Sequence, residues 1–181
     1  MAVVERLGGL PAEAEAVTEQ IQREYLLWVT ERLTADLGVV FDDPDAARAV
    51  HERVFTRELP RLLGPRGRLL VARVDGEVVG IGALQPVGPG TAEIKRMYVR
   101  PQARGLGIGR VILDRLLADA RTIGYRVVRL ETAPFMAEAH ALYRSMGFQD
   151  RPVWDHTETG LSGLASLMIF MELRLDQDAR V

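Results

Sequence analysis

The 181-residue sequence contains no cysteine, so disulfides, thiolate metal sites and cysteine nucleophiles are excluded. Its three histidines, at positions 51, 140 and 156, are widely spaced and form no metal-ligand pattern. No apolar run approaches the ~18 residues of a membrane-spanning helix. No basic segment followed by an apolar run marks a secretory signal. The sequence therefore predicts a cytoplasmic protein without a metal site.

Neither sign of charge dominates the sequence. The 23 basic and 25 acidic residues leave a formal net charge of −2. This balance argues against a nucleic-acid-binding protein whose affinity rests on a basic face, although a local patch around Arg96, Arg100 and Arg104 stays open. The hydrophobic content of 48% is ample for a core. The length predicts a single domain spanning residues 1–181.

Residues 91–109 combine a strand-like segment with a glycine-rich loop. The apolar segment ends at Arg100-Pro101, and glycines follow at positions 105, 107 and 109. A helix that begins at such a loop directs free backbone N–H groups, and the positive end of its dipole, toward a bound anion. Glycine also lets the backbone approach a phosphate closely. The segment predicts a phosphate site, although a merely connecting turn stays open on this motif alone.

The spacing within the loop excludes two common phosphate-binding motifs. A dinucleotide fingerprint requires glycine where the chain has Arg110, even though Glu131 lies about twenty residues downstream, as that fold requires. A P-loop requires Gly-Lys-Ser/Thr after four spacer residues, and the sequence contains no such segment. The spacing observed instead is Tyr98-Val99-x-Pro101 followed by Arg104-x-x-Gly107-x-Gly109.

A second motif reads Ala139-x-x-Leu142-Tyr143-x-x-x-Gly147-Phe148. Its apolar positions share one helical face, and Gly147 suits a helix C-terminal cap. The two motifs, in this order and separated by a strand, resemble the acyl-CoA-binding blocks of the GNAT superfamily of N-acetyltransferases. The resemblance covers roughly residues 68–175. It departs from the family at Met136, where many members carry asparagine.

The resemblance implies direct transfer of the acetyl group of acetyl-CoA to a primary amine of a small molecule or peptide. It implies that the glycine-rich loop holds the pyrophosphate, with a charge-assisted contact from the Arg104 side chain. It also implies that the preceding strand holds the pantetheine arm and the acetyl carbonyl, commonly at a β-bulge. The implied cofactor-binding residues are Met97, Tyr98, Val99, Arg104, Gly105, Leu106, Gly107, Ile108 and Gly109. Because Met136 departs from the pattern, a non-catalytic acyl-CoA-binding sensor or interaction module stays open.

Tyr143 and Glu93 are the candidate catalytic residues. The tyrosine of the family lies near the CoA sulfur, so Tyr143 is expected to donate a proton or hydrogen bond to the leaving thiolate. Glu93 lies where some members carry a catalytic or water-coordinating glutamate, so it is the candidate base. The alternatives are a core tyrosine and an exposed glutamate paired with a cation such as Lys95. His140 and His156 are rival bases by pKa, with His140 expected on a helix surface.

Hydrophobic periodicity and turn residues predict the elements of secondary structure. Asp75-Gly76 is a strong two-residue hairpin signal. The predicted helices cover 12–37, 45–63, 107–123 and 136–146, and the predicted strands cover 2–7, 69–74, 77–84, 92–99, 126–132, 148–153 and 167–175. The resulting order, β-α-α-β-β-β-α-β-α-β-β, predicts an α/β fold with a GNAT-like mixed, mostly antiparallel central sheet flanked by helices.

The identity of the acceptor amine cannot be read from the sequence. The first two helices and the loop at 151–165 are expected to contact it, and plausible lining residues are Glu24, Tyr25, Trp28 and Trp154. The expected partners are acetyl-CoA and an amine acceptor, without nucleic acid or membrane. A homodimer stays open.

Overall fold

The computed structural model describes residues 2–154 and 163–175, which form a seven-stranded mixed sheet with helices on both faces. The strands are β1 (Val3–Arg6), β2 (Arg68–Val74), β3 (Glu77–Gly88), β4 (Thr91–Val99), β5 (Val127–Thr132), β6 (Gln149–Arg151) and β7 (Ile169–Arg174). The helices are α1 (Pro11–Leu37), α2 (Pro44–Leu63), α3 (Ile108–Ile123) and α4 (Ala137–Ser145). The predicted element order is confirmed.

The sheet has the strand order β1-β2-β3-β4-β5-β7-β6. β4 and β5 are parallel, and all the other neighbours in this sheet are antiparallel. A parallel pair needs a crossover connection, which α3 supplies. The prediction of a mixed, mostly antiparallel sheet is therefore confirmed.

Local sequence signals explain where the helices begin and end. Asp43 caps α2 by accepting a hydrogen bond from the backbone N–H of Ala46 at 2.9 Å. α1 ends at Gly38 and α3 ends at Gly124, both in the left-handed conformation that favours glycine. Within the described residues, no helix combines the length and apolarity needed to cross a bilayer.

The sheet separates two apolar cores. On one face, α3 buries its apolar stripe against β2, β3, β4, β5 and β7, and α4 adds Tyr143 to the same cluster. On the other face, α1 and α2 pack residues such as Ile21, Leu59 and Leu62 against β2, β3 and Tyr98 of β4. These two faces are called the α3 face and the α1–α2 face below.

One predicted boundary was wrong. The sequence predicts that β3 ends near residue 84 and that Pro86 belongs to the following turn, but β3 extends to Gly88 and Pro86 pairs with Ala92 of β4. Proline is tolerated there because the pairing of β2 with β3 stops at Leu84, so Pro86 has an open edge on one side. The predicted Asp75-Gly76 turn is confirmed, with both residues at positive φ.

Candidate active site

The two parallel strands separate toward their C-terminal ends. β4 and β5 pair only where residues 91–93 of β4 lie beside residues 127–129 of β5. Beyond that point β4 stays with β3 and β5 stays with β7, so the sheet opens between them. A cavity of about 420 Å³ lies at this opening, lined by both strand ends and by α1, α2 and α4. This volume is within the range of ~300–1,000 Å³ common for small-molecule sites.

A β-bulge interrupts β4 beside the cavity. Ile81 pairs with Tyr98 and Ala83 pairs with Lys95, so Arg96 and Met97 together oppose the single residue Gly82. Arg96 has a φ of 58°, which is uncommon for a residue with a side chain. Such a bulge releases backbone groups from the sheet ladder. Because Arg96 and Met97 line the cavity, their backbone groups are available at its wall.

Gly82 makes room for this bulge from the neighbouring strand. A Cβ at position 82 would lie 2.5 Å from Cγ2 of Ile112 and 2.8 Å from Sδ of Met97. Both distances are too short for real atoms, so a larger residue would have to shift the side chains of Ile112 and Met97. The close packing of α3 and Met97 against β3 therefore uses a glycine that lies outside both sequence motifs.

The glycine-rich loop follows β4 directly and leads into α3. Gly105 and Gly107 have φ values of 78° and 73°, and Gly107 is the residue preceding the helix. A Cβ built at either position meets no described atom within 4 Å, so the loop presents open backbone. The first turn of α3 carries N–H groups without intrahelical partners. Together these features form an anion-binding helix N-terminus.

The other loop residues divide between surface and core. Leu106 is 67% exposed, whereas Ile108 is buried in the core of the α3 face. A Cβ at Gly109 would lie 3.6 Å from Leu142 and 3.9 Å from Val99, which is ordinary contact. Gly109 therefore lies between the end of β4 and α4, and Leu106 lies at the surface of the loop.

The Arg104 side chain folds away from the glycines. Its Nε donates a hydrogen bond to the carbonyl oxygen of Val99 at 3.2 Å. Its guanidinium lies 5.3 Å from the ring centre of Trp28 and 6.0 Å from that of Tyr98, which is cation–π distance. A phosphate contact from this side chain stays a prediction, and it requires a different rotamer.

Tyr143 faces the cavity from α4. It lines the cavity, is only 5% exposed, and packs its ring against Phe148 with centroids 5.8 Å apart. Burial, reinforced by the nearby Tyr25, raises the pKa of Tyr143 well above its ordinary value. The phenol is therefore protonated at neutral pH and is available as a hydrogen-bond donor.

Glu93 is buried rather than exposed. It is 5% exposed and accepts a hydrogen bond from Nε2 of Gln85 at 3.4 Å. Its neighbours Ala92 and Ile94 belong to the core of the α3 face, so alternation directs Glu93 to the α1–α2 face. Glu93 is not among the described residues that line the cavity, whereas Met97 and Tyr143 are.

Comparison with known proteins agrees with this geometry. The sequence model of the acetyltransferase (GNAT) family matches residues 26–148. The chain belongs to the GNAT family. An IAA acetyltransferase of Azospirillum brasilense is 43% identical over 116 residues, which is 64% of this chain and 72% of that protein.

Solved structures of GNAT proteins share the fold. A PaiA N-acetyltransferase of Thermoplasma acidophilum in complex with coenzyme A superposes with a TM-score of 0.69 at 16% identity, covering 96% of this chain and 99% of the other. The YncA acetyltransferase of Salmonella typhimurium with acetyl-CoA superposes with a TM-score of 0.61 at 23% identity, covering 100% and 98%. At these identities the solved structures show a shared fold, and the family match identifies the chain as a GNAT N-acetyltransferase that uses acetyl-CoA.

The residues present fit acetyl-CoA. At Gly105 and Gly107 the loop leaves open the space that a Cβ would fill, and the helix N-terminus attracts a negatively charged pyrophosphate. Met136, the position at which the sequence departs from many members of the family, lines the cavity, and its Sδ lies 3.5 Å from the hydroxyl of Thr132. It therefore gives this part of the cavity a thioether instead of an amide.

His140 corrects the sequence interpretation. It was expected on the surface of α4, but it is 7% exposed and is, with Tyr143, one of the two buried residues of that helix. Burial lowers the pKa of His140, although a hydrogen bond with the backbone of Ala133 partly offsets the effect. His156 lies outside the described residues. Within the described residues, no cluster of three or more potential metal ligands occurs.

Sequence reasoning missed several polar and charged residues at the cavity. Lys95 and Arg96 line it from β4, Glu131 lines it from β5, and His51 lines it from α2. None of them belongs to a motif. For Lys95 and Glu131, the pairing register of β4 and β5 was the one available signal. Each of them follows the last paired residue of its strand by two positions, so the two lie across from each other where the strands separate.

The four residues suggested as acceptor contacts have different environments. Tyr25 lines the cavity. Trp28 packs instead against Tyr98 and Phe135, with ring centroids 6.0 and 5.7 Å apart. Glu24 binds the guanidinium of Arg100 through both carboxylate oxygens, at 2.7 and 2.8 Å. Trp154 packs edge-on against Phe170. Among these four, Tyr25 is thus the one that borders the cavity.

Proposed function

We propose that this GNAT enzyme acetylates the primary amine of a small molecule or peptide by direct attack in the cavity between β4 and β5, within one domain spanning residues 1–181. The observation that carries the proposal is that the bulge at Arg96–Met97 and Tyr143 both line one cavity. The glycine-rich loop is not among the described residues that line this cavity, but it directly continues β4 into α3.

The loop would hold the pyrophosphate through its backbone. The N–H groups from Gly105 to Gly109 lie at the N-terminus of α3, where the helix dipole favours negative charge. The N–H of Arg104 instead donates to the carbonyl oxygen of Pro101 at 3.2 Å. Positive φ at Gly105 and Gly107 supports this assignment, because residues with a side chain rarely adopt it. The side chain of Arg104 would add positive charge only after leaving its contacts with Val99 and Trp28.

The bulge would polarise the carbonyl group under attack. When bound, acetyl-CoA supplies an acetyl thioester as the acyl donor. Met97 lines the cavity at the bulge, where the regular ladder is interrupted, and Tyr98 and Val99 follow it along β4, paired with Ile81 and Gly80. A fixed N–H that points at developing negative charge lowers the barrier, because it needs no reorganisation during the reaction.

Tyr143 would donate a hydrogen bond to the departing thiolate. Its raised pKa keeps the phenol protonated, and also makes complete loss of the proton less favourable than for an ordinary tyrosine. We therefore assign Tyr143 chiefly as a hydrogen-bond donor to the sulfur. The departing thiolate finishes its protonation from water.

Glu93 would receive the proton that the attacking amine loses. Its carboxylate lies on the α1–α2 face, and both helices of that face also line the cavity. Since Glu93 does not line the cavity itself, the proton would pass through water. The buried Gln85–Glu93 contact would keep the carboxylate in place.

The activity is tested by measuring thiol release from acetyl-CoA with a panel of polyamines, aminoglycosides, amino acids and peptides. The proposed mechanism is tested with the variant Tyr143→Phe. Phenylalanine keeps the packing against Phe148 and removes only the hydroxyl. We expect kcat to fall roughly 10²-fold, at the lower end of general-acid contributions, with little change in calorimetric acetyl-CoA affinity.

Tyr125→Phe is the matched control. It also removes a tyrosine hydroxyl, one that donates to the carbonyl oxygen of Arg66 at 2.8 Å and lies away from the cavity. This variant should lose about 1 kcal/mol of stability and keep its kcat. If Tyr143→Phe stays within about twofold of the wild-type kcat, Tyr143 is a core aromatic residue without a role in the reaction.

A further inference from the structure

Positive charge is concentrated on the β4 side of the cavity. Lys95 and Arg96 both line it, and both contact a single carboxylate from α2. Nζ of Lys95 lies 2.6 Å from Oε1 of Glu58, and Nη2 of Arg96 lies 3.4 Å from Oε2 of the same residue. One carboxylate thus holds two cations in place at the cavity wall.

Negative charge lies on the opposite side of the opening. Glu93 and Arg129 are the last paired residues of β4 and β5, so Lys95 and Glu131, each two positions further on, lie across from each other. Their neighbours Ile94 and Leu130 belong to the core of the α3 face, so Lys95 and Glu131 both point to the α1–α2 face. The opening is therefore cationic along one strand and anionic along the other.

The rest of the cavity on the helix side is mostly apolar. α1, the connection to α2, and α2 itself contribute aliphatic and aromatic side chains, among them Val29, Leu33, Val39, Phe41 and Val50. Such a wall favours an apolar group on the acceptor and disfavours a second charge, which would lose its hydration there. Charges of both signs at the sheet, with an apolar wall opposite, are complementary to a molecule that carries a positive and a negative group next to an apolar side chain.

We infer that the acceptor is an apolar α-amino acid, bound with its carboxylate toward Lys95 and Arg96, its ammonium toward Glu131, and its side chain against the α1–α2 wall. The inference rests on the proposed function, because it takes this cavity as the acceptor site. A polyamine lacks the carboxylate and places positive charge near two cations. An acidic amino acid would bring a second carboxylate to the apolar wall.

The chemistry is consistent with this binding mode. The bound ammonium first gives one proton through water to Glu93 and becomes a neutral amine. Its nitrogen then forms a bond to the acetyl carbonyl carbon, the carbon–sulfur bond breaks, the nitrogen gives its second proton to water, and the sulfur takes a proton from water. The product is an N-acetyl amino acid whose nitrogen is uncharged. It therefore loses its attraction to Glu131 while its carboxylate keeps the contact with Lys95 and Arg96.

A substrate series tests the inference. Rates of thiol release are compared for L-leucine, L-leucinamide and spermidine. We expect kcat/KM for leucine to exceed that for leucinamide by about 10- to 100-fold, the contribution of a hydrogen bond to a charged group. The amide has the less basic amine, so a preference for leucine cannot come from a larger fraction of neutral amine. Spermidine should be the poorest acceptor.

Two variants connect this preference to the cavity. Lys95→Gln removes one cation and leaves Glu58 paired with Arg96. Because Arg96 remains, this variant should lower the leucine-to-leucinamide ratio about tenfold and weaken calorimetric binding of N-acetyl-L-leucine to a similar extent. Arg73→Gln is the control, because it also removes a cation bound to a glutamate, Glu5 at 2.7 Å, on the far strands β1 and β2. It should keep both the ratio and the product affinity.

The outcomes separate this inference from the proposed function. If acetyl-CoA binds and spermidine or leucinamide reacts as well as leucine, the inference is overturned and the acetyltransferase assignment stands. An unchanged ratio in folded Lys95→Gln also overturns it. If Lys95→Gln does not fold, the comparison of leucine, leucinamide and spermidine with the wild-type enzyme alone tests the inference. If neither acetyl-CoA binding nor turnover of any amine is detected, the proposed function fails as well.

Discussion

Substitution of Gly107 tests whether the loop binds the cofactor. Gly38, a remote glycine with the same backbone conformation, provides a control for the loss of stability. Gly107 has a φ of 73° before α3, and Gly38 has a φ of 67° at the end of α1. A Cβ at either position meets no described atom within 4 Å. Alanine should therefore cost only the left-handed backbone strain, about 1–2 kcal/mol at each position. For a domain of this size that is a fall in Tm of about 2–8 °C.

The two alanine variants should differ in their affinity for acetyl-CoA. If the loop binds the pyrophosphate as we propose, a methyl group at position 107 would occupy the open space beside the backbone and block close approach. Loss of one hydrogen bond to a charged group, about 1.5–3 kcal/mol, corresponds to roughly 10- to 100-fold weaker binding. Gly107→Asp should bind more weakly still, since it adds a carboxylate. Its stability should be no lower than that of Gly107→Ala, because aspartate tolerates the left-handed conformation better.

Isothermal titration with acetyl-CoA, together with thermal unfolding followed by circular dichroism, measures both quantities on the same samples. Wild-type affinity in Gly107→Ala, combined with the expected fall in Tm, would refute the pyrophosphate site at this loop. An equal loss of affinity in Gly38→Ala would show that binding follows general stability, and would refute the reasoning in a different way.

Three further predictions follow from other parts of the structure. Glu93→Gln should weaken the rise of kcat/KM with pH, and comparing acceptors of different amine pKa separates this effect from deprotonation of the amine itself. Gly82→Ala should lower stability by about 1–3 kcal/mol through contact with Ile112 and Met97, and should also slow thiol release, which an intact rate would contradict. Burial lowers the pKa of His140, so the unfolded chain binds a proton first as the pH falls below ~6.5 and stability declines there. His140→Gln should flatten this decline in Tm between about pH 7.5 and 5; an unchanged slope would assign the decline to other groups.

Local signals made most of the secondary structure predictable. Asp43, Gly38 and Gly124 mark helix ends through capping geometry that involves only neighbouring residues. Asp75-Gly76 defines its hairpin in the same local way. The end of β3 was not predictable, because Pro86 is accepted only where β2 has already stopped pairing. That condition depends on a strand that is distant in sequence.

The backbone of the glycine-rich loop was predictable for the same reason, and the polar residues that line the cavity were not. Arg104 to Gly109 form one continuous segment, so spacing alone describes the backbone they present. Lys95, Glu131 and His51 come from three elements, and they meet only because β4 and β5 separate. His140 was misplaced because periodicity alone does not report its hydrogen bond with the backbone of Ala133, which lets a polar residue be buried.

The bulge in β4 was partly predictable, in contrast to the glycine-rich loop, which was predictable, and the cavity-lining residues, which were not. Ala92 and Ile94 face α3 and, after the extra residue, so do Met97 and Val99, so the alternation of β4 shifts phase between 94 and 97. The three-residue spacing from Ile94 to Met97 is visible in the sequence. Tyr98 made it ambiguous, because this apolar residue packs in the core of the α1–α2 face and interrupts the pattern of the α3 face. Gly82 on the neighbouring strand, where a Cβ would lie 2.8 Å from Sδ of Met97, accompanies the bulge. The bulge that we propose to lie against the reacting carbonyl is a mismatch in register between two paired strands, so one motif on one strand cannot report it.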